Sequence, residues 1–368
     1  MRVTAAVMPE RSGRWSLEEL ELADPGPHEV LVRVVASGIC QTDVHARDGY
    51  FPVPWPAVYG HEGTGVVERV GAAVKAVGPG DHVIMASPAC GECTNCREGY
   101  EAYCVRSREI KLCGLRMDGS IALRRGETPV HGSFFQQSSF STVALATETN
   151  VIKVAPDAPL DILAAFPCGV NTGAGAVMNV LQPRPGDSFA VFGAGTVGLA
   201  GLMAAKLRGC DPIIAVDVFD NRLALARELG ATHVVNATRP DVAAEVRRVA
   251  GGRGVRFSLE AAGVPTALRA AVDALAPRGV CCLVGSARAG VDAPLEMGTL
   301  QQGRVVRGCI QGESVVREFL PELVALYRAG QLPVDRLVRR YEFAAINEAV
   351  ADMLSGATIK AVLSIGRA

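Results

Sequence analysis

The chain has 368 residues, of which 49% are hydrophobic and 20% charged, and its formal net charge is −1. That length suits two domains, each able to bury a sizeable core. The balanced charge offers no basic stripe for nucleic acid and no acidic tail; residues 1–10 hold no apolar leader, and the uncharged run 189–205 is glycine-rich and short for a membrane span. Eleven cysteines without an export signal are expected in a reducing compartment, where thiols serve metals, so the protein is read as soluble and cytoplasmic.

The first half is strand-like. Residues 30–36 (VLVRVVA) are rich in β-branched side chains and follow the turn Pro25-Gly26-Pro27, which predicts a strand. Residues 63–70 predict a second strand, and Pro79-Gly80-Asp81 turns into a third at 82–86. Short strands with Gly/Pro punctuation predict a partly closed β-barrel. Next comes Cys90, Cys93, Cys96 and Cys104, the pattern C-x2-C-x2-C-x7-C. Clustered CxxC spacing is a soft thiolate cage, best suited to tetrahedral zinc. Buried or disulfide-bonded cysteines and an iron–sulfur cluster are the alternatives. A ferredoxin run closes with a gap of about three residues and a Cys-Pro, whereas here the last gap is seven and Val105 follows Cys104.

From 160 to about 287 the pattern changes. Strands are predicted at 189–192, 213–216, 234–235, 257–260 and 280–284, with helices at 196–208 and 222–229 between them. That alternation predicts a doubly wound parallel sheet with helices on both faces. Gly193-Ala194-Gly195-Thr196-Val197-Gly198 is a G-x-G-x-x-G between a strand and a helix, the context in which it binds a dinucleotide. Glycines let the backbone approach a pyrophosphate, and the helix start offers free N–H groups. Asp217 ends the next strand, where a carboxylate takes the ribose hydroxyls and repels a 2′-phosphate. NAD is therefore preferred over NADP, although Arg222 lies close enough to soften that preference. The tail from about 308 mixes strand and helix again and is expected to return to the first domain.

Cys40, His61 and Cys168 are scattered, and each alone reads as a buried cysteine or a satisfied histidine. Spacing does not join them. Five segments taken together do: 38–45 (GICQTDVH), 60–67 (GHEGTGVV), the four-cysteine loop, 168–173 (CGVNTG), and the GxGxxG with Asp217. In this order they resemble the zinc-containing medium-chain alcohol dehydrogenases over nearly the whole chain. The resemblance implies a GroES-like barrel, residues 1–169 with 309–368, plus a Rossmann domain, 170–308, and a site in the cleft between them. It implies that Cys40, His61 and Cys168 hold a catalytic zinc with one position open, and that Cys90, Cys93, Cys96 and Cys104 hold a closed structural zinc. Glu62 matches a carboxylate beside the metal, and Asp43 a residue that orients the histidine ligand. Thr42 and His45 match a proton relay through the nicotinamide ribose, although Thr42 could also serve as a helix N-cap. Thr172, Val284 and Ser286 fall at the nicotinamide, Arg222 at the adenosine ribose and Lys360 at the pyrophosphate. Gln41 stands where several relatives carry an arginine.

Within the family the resemblance runs to bacterial aryl-alcohol (benzyl-alcohol) dehydrogenases, through 172–179, 274–279, 312–315 and 319–323. Phe51, Trp55 and Phe140 would wall a pocket for a planar ring, and Ala86 would widen it, although the aromatics could equally be ordinary core. The expected reaction is reversible hydride transfer from a primary alcohol to NAD. Allylic alcohols such as geraniol are a second expectation. A thiol-dependent formaldehyde dehydrogenase is a third, using Arg106, Arg108, Lys111 and Arg116 as a cationic patch. A nucleotide-binding relative without chemistry is the fourth. The resemblance also implies a homodimer joined through the Rossmann sheets, with a tetramer as the bacterial alternative.

Overall fold

The computed structural model describes residues 1–367. The chain forms two compact units. One gathers Met1–Cys168, Val315–Val324 and the chain from Asp335 on; the other takes Gly169–Ser314 and Ala325–Val334.

The first unit is built round the strand Glu29–Gly38. Both its faces are buried: Leu31 joins one apolar cluster, while Val30, Val32 and Val34 join another. This arises from the two-residue period of a strand whose residues are apolar on both sides. It pairs antiparallel with Gly63–Val70, Val143–Thr147 and Lys360–Ser364. Those strands belong to a seven-stranded sheet, and a five-stranded sheet containing Arg2–Met8 and Ser16–Leu22 lies in the same unit. Strand register brings remote residues together here. Ser37 faces Gly63 on one side and Leu363 on the other, and Gly38 faces Val362. Glu62 and Lys360, 298 residues apart in sequence, therefore meet beside Gly38.

The second unit is a six-stranded sheet in which every pairing is parallel. Its spatial order is His233–Asn236, Ile213–Asp217, Phe189–Phe192, Val255–Glu260, Leu275–Leu283, Val305–Gly308. The central strand FAVF is wholly buried, as expected of a parallel strand covered on both faces. Strand order reverses between Phe189–Phe192 and Val255–Glu260, the switch point where doubly wound sheets bind ligands. The unit runs past the expected boundary at 308 because the next turn is tied back to it. Asn171 Nδ2 donates to Gln311 O (3.0 Å), Ser314 Oγ donates to Asn171 Oδ1 (2.9 Å), and Asn179 Nδ2 donates to Gly312 O (3.0 Å).

Candidate active site

Cys40 caps the N-terminus of the helix Gln41–Arg47. His61 stands in the turn before Gly63–Val70, and Cys168 in a wide helical turn, Phe166–Val170. One ligand atom each from Cys40, His61, Glu62 and Cys168 lies within 4.8 Å of all the others, and the two sulfurs are 3.9 Å apart. Asp43 organises the group. Its Oδ2 accepts from Cys40 N (2.9 Å), and its Oδ1 accepts from Gly60 N (3.1 Å) and pairs with His61 Nδ1 (3.0 Å). His61 Nε2 is left buried without a hydrogen-bond partner. Folded proteins leave few buried polar atoms unpaired without a reason, and here a metal ion is the natural partner.

Electrostatics point the same way. The Cys168 thiol holds Cys40 well below the ordinary thiol range against the opposing effect of burial, with help from His61 and Lys360. Cys168 is raised in turn by Cys40 and by burial. Burial pushes Glu62 up to about 7 despite the Lys360 ammonium beside it. Burial works against a charged Lys360, yet Glu62 and Cys40 raise it. Burial likewise opposes a charged His61, and Asp43 and Cys40 outweigh it. Two thiols, two carboxyls, an imidazole and one lysine thus share a buried space, and a divalent cation held by deprotonated ligands fits that donor set.

The cysteine loop also fits a metal. The Sγ atoms of Cys93 and Cys96 are 3.4 Å apart and those of Cys90 and Cys96 are 3.8 Å apart. All four ligand atoms lie within 4.8 Å of one another. Backbone N–H groups of Cys90 and Cys93 point at the sulfurs of Cys104 and Cys90 at 3.5 and 3.4 Å and hold the loop around them.

Thr42 is the second residue of the Gln41–Arg47 helix, so Cys40 rather than Thr42 occupies the cap position. The Thr42 hydroxyl is 3.7 Å from Cys40 Sγ. His45 lies three residues on, on the same helix flank. Its ring stacks on Tyr50 (centroids 4.5 Å, 15°), with Phe51 edge-on at 6.4 Å. Burial lowers its pKa, and its Nδ1 has no partner.

In the second unit the helix Thr196–Leu207 opens at Gly195. A Cβ at Gly195 would meet no protein atom within 4 Å, so this backbone is open to a ligand, whereas one at Gly198 would strike the carbonyl of Gly193. Gly193, Thr196 and Val197 are partly exposed around that opening. Asp217 Oδ2 accepts from Ala194 N (2.6 Å) and Oδ1 from Phe219 N (2.9 Å), which fixes the carboxylate against the glycine turn. Arg222 Nη1 lies 3.8 Å from Asp217, with its guanidinium over the Phe219 ring. Thr172 is nearly buried in the helix Asn171–Gly175. Val284 and Ser286 come after the strand Leu275–Leu283, and sequence reasoning missed what holds this loop. Glu260 Oε1 accepts from Ala262 N and Gly263 N (2.9 and 2.8 Å), and its carbonyl accepts from Val284 N and Gly285 N (2.9 and 3.0 Å). Its signal was the same as that of Asp217, an acidic residue ending an apolar parallel strand.

Some expectations need correction. Lys360 does not stand free for a pyrophosphate: it is 2% exposed, and its ammonium is held by Glu62 and by Ile39 O. Phe140 is 0% exposed, with its backbone bonded to Tyr59 O, and belongs to the apolar core. Ala86 is equally buried, and its carbonyl accepts from Gln137 and Asn150. Phe51 and Trp55 are partly buried against that same core. The cationic patch is largely spent: Arg106 pairs with Glu92 and Glu109, Arg116 with Glu29, and Lys111 is buried.

A GroES-like domain with a cysteine/histidine cluster, joined in one chain to a doubly wound nucleotide fold, defines a zinc-binding dehydrogenase. The family model of the alcohol dehydrogenase GroES-like domain matches residues 26–156, and that of the zinc-binding dehydrogenases matches 196–327. The chain belongs to the zinc-containing medium-chain alcohol dehydrogenases. It is 38% identical to the geraniol dehydrogenase of Castellaniella defragrans, covering 98% of this chain and 96% of that protein. Among solved structures it is similar to an alcohol dehydrogenase zinc-binding domain protein from Burkholderia ambifaria (47% identity, TM-score 0.96, 100% of this chain and 99% of that one). It is similar also to the benzyl alcohol dehydrogenase of Acinetobacter calcoaceticus (41% identity, TM-score 0.96, all of both chains).

Proposed function

We propose that the protein is an NAD-dependent dehydrogenase with a catalytic and a structural zinc, which oxidises benzylic primary alcohols reversibly to aldehydes. The observation that carries the chemistry is His61 Nε2, buried and unpartnered in one cluster with the sulfurs of Cys40 and Cys168. Those three residues would hold the catalytic ion, and Cys90, Cys93, Cys96 and Cys104 the structural one. Zinc, when bound, supplies a Lewis acid that lowers the pKa of a hydroxyl, as it lowers that of water to about 7, while NAD supplies the hydride acceptor. Asp43 keeps the proton on His61 Nδ1, so that Nε2 presents its lone pair. Thr42 Oγ1 would accept the proton of the alcohol while its own hydroxyl proton moves on toward His45, and a stiff β-branched rotamer would keep that oxygen in place. His45 passes the proton to solvent; its lowered pKa keeps it neutral and able to accept. Asp217 would receive the ribose hydroxyls and oppose a 2′-phosphate.

The aryl substrate is supported by the full-length likeness to a benzyl alcohol dehydrogenase and by the Tyr50–Phe51 aromatic pair at His45. The geraniol dehydrogenase relative favours an allylic alcohol as a second reading. Both substrates have a carbinol carbon beside a π-system. A panel of benzyl alcohol, cinnamyl alcohol, geraniol, ethanol, and formaldehyde with a thiol, each with NAD⁺, decides among them. Benzyl alcohol is expected to show the highest kcat/KM. Geraniol ahead of it would move the assignment to allylic alcohols, and ethanol ahead of both would end the aryl reading. Metal analysis separates the enzyme, with two zincs per chain, from a bystander with one or none. A homodimer in the cytoplasm completes the proposal, and the eleven free thiols suit a reducing setting.

A further inference from the structure

Residues 133–138 hold four non-glycine residues in the left-handed region: Ser133 (φ 53°), Phe135 (51°), Gln136 (51°) and Ser138 (46°). Bulky side chains avoid such backbone, which persists only where the surroundings over-determine it. Ser138 Oγ accepts from Phe134 N at 2.9 Å and donates to Val58 O at 2.7 Å. Asn150 Nδ2 lies within bonding reach of the Phe135 and Gln136 carbonyls at 3.1 and 3.2 Å.

The unusual backbone sends neighbouring side chains to one target. The Phe135 ring lies against the His61 imidazole (centroids 4.7 Å, 31°), and Phe134 meets it edge-on at 5.8 Å. Gln137, 1% exposed, donates from Nε2 to His61 O (3.1 Å) and accepts from Gly63 N (3.0 Å), bracketing the backbone that carries the ring. Gln136 reaches the other way. Its Nε2 donates to Ile110 O and Leu115 O (2.8 and 2.9 Å) and so grips the helix Ser107–Leu112, whose Ser107 N is bonded to Cys104 O at 2.9 Å.

We propose that residues 133–138 are the positioning element of the histidine ligand: Phe135 sets the plane of the His61 ring, Gln137 sets the backbone beneath it, and Gln136 anchors both to the cysteine lobe. The hydrogen bond to Asp43 fixes one ring nitrogen but leaves the ring free to rock about that bond. An aromatic face removes this freedom and keeps Nε2 aimed at the ligand cluster.

The inference rests on reading Cys40, His61 and Cys168 as a zinc site, and one experiment separates the two ideas. Wild type, Phe135→Leu, Phe135→Tyr and Gln137→Glu are loaded with Co(II) at the catalytic cluster, leaving zinc in the cysteine loop. The visible spectrum and the rate of Co(II) removal by 1,10-phenanthroline are then read. Leu keeps apolar bulk without the aromatic face, Tyr keeps the face, and Glu keeps the acceptor for Gly63 N but not the donor to His61 O. Removing a group that orients a metal ligand typically weakens metal binding about 10–100-fold. The Leu and Glu variants are therefore expected to lose cobalt at least about tenfold faster, with shifted bands, while Tyr restores the wild-type spectrum and rate. If Gln137→Glu does not fold, the Leu/Tyr pair decides alone. Wild-type spectrum and release in Phe135→Leu would overturn the proposal. Failure of the wild type to take up cobalt at the cluster would overturn the zinc reading itself, and this inference with it.

Discussion

Lys360 shows how much one side chain can mean in a low dielectric. Its ammonium and the Glu62 carboxylate are both buried, and Glu62 lies in one cluster with Cys40, His61 and Cys168. Gly38 leaves the room they need: a Cβ there would collide with Glu62 Oε2 and sit 2.9 Å from Lys360 Cε. Removing one partner of a buried ion pair costs about 3–5 kcal/mol. Lys360→Met is expected to lose stability of that order in urea unfolding, and an unchanged midpoint would show that the pair is not structural. At the nucleotide end, Asp217→Asn keeps an acceptor for Ala194 N and removes the charge that opposes a 2′-phosphate. Like charges brought together cost several kcal/mol, so the NADP/NAD ratio of kcat/KM should rise at least roughly tenfold; an unchanged ratio would leave Arg222 as the governing group. Gln41 is exposed at the first turn of its helix. Coenzyme release limits many dehydrogenases of this kind, so Gln41→Arg should slow NADH release and turnover together in stopped-flow measurements.

Elements of the cysteine lobe are too short to stand alone. The helix Thr94–Arg97 has four residues, the turn Glu101–Tyr103 three, and the apolar cluster beneath them consists of Cys96, Cys104 and Ile110 with a few partly buried neighbours. Isolated helices of this length are unstable in water, so the metal would serve as the lobe's core. Cys104→Ser is expected to drop zinc content from two to one per chain. A loss of ~2–3 kcal/mol, at about 1.3 °C per kcal/mol for a chain of 368 residues, lowers Tm by roughly 3–4 °C. Activity at low temperature should survive, because the ligands of the other cluster are untouched. Immediate loss of activity with an unshifted Tm would reverse the roles of the two clusters.

The sheet of the second unit ends in two edge strands, His233–Asn236 and Val305–Gly308, and the second is the apolar one that bears on assembly. Val305–Gly308 pairs only with Leu275–Leu283, and Val305, Ile310 and Met297 are 48%, 51% and 77% exposed. Apolar edge strands invite pairing with a second chain. Light scattering should therefore report a dimer for the wild type and a monomer for Val305→Lys combined with Ile310→Glu; a wild-type monomer would end the homodimer proposal. Legibility at this scale divides by sequence distance. The strands at 63–70 and 189–192 were readable because alternation, apolar runs and turns are local, and they recur as Gly63–Val70 and Phe189–Phe192. Glu260 was missed because its role lies in loops at the ends of two different strands. Phe140 proved to be core because aromatic character alone does not separate a cavity wall from a buried core side chain, and burial is decided by the fold. By itself the sequence carried the four-cysteine pattern, the nucleotide turn and its acidic partner, since each is short and local, whereas Cys40, His61 and Cys168 were joined only by the family resemblance. Only the tertiary structure decided that Asp43 joins Cys40 to His61, that Lys360 answers Glu62, and that a strained turn far downstream leans on the histidine ring. These contacts depend on antiparallel registers around Gly38 and on burial, which convert residues far apart in the chain into one low-dielectric cluster.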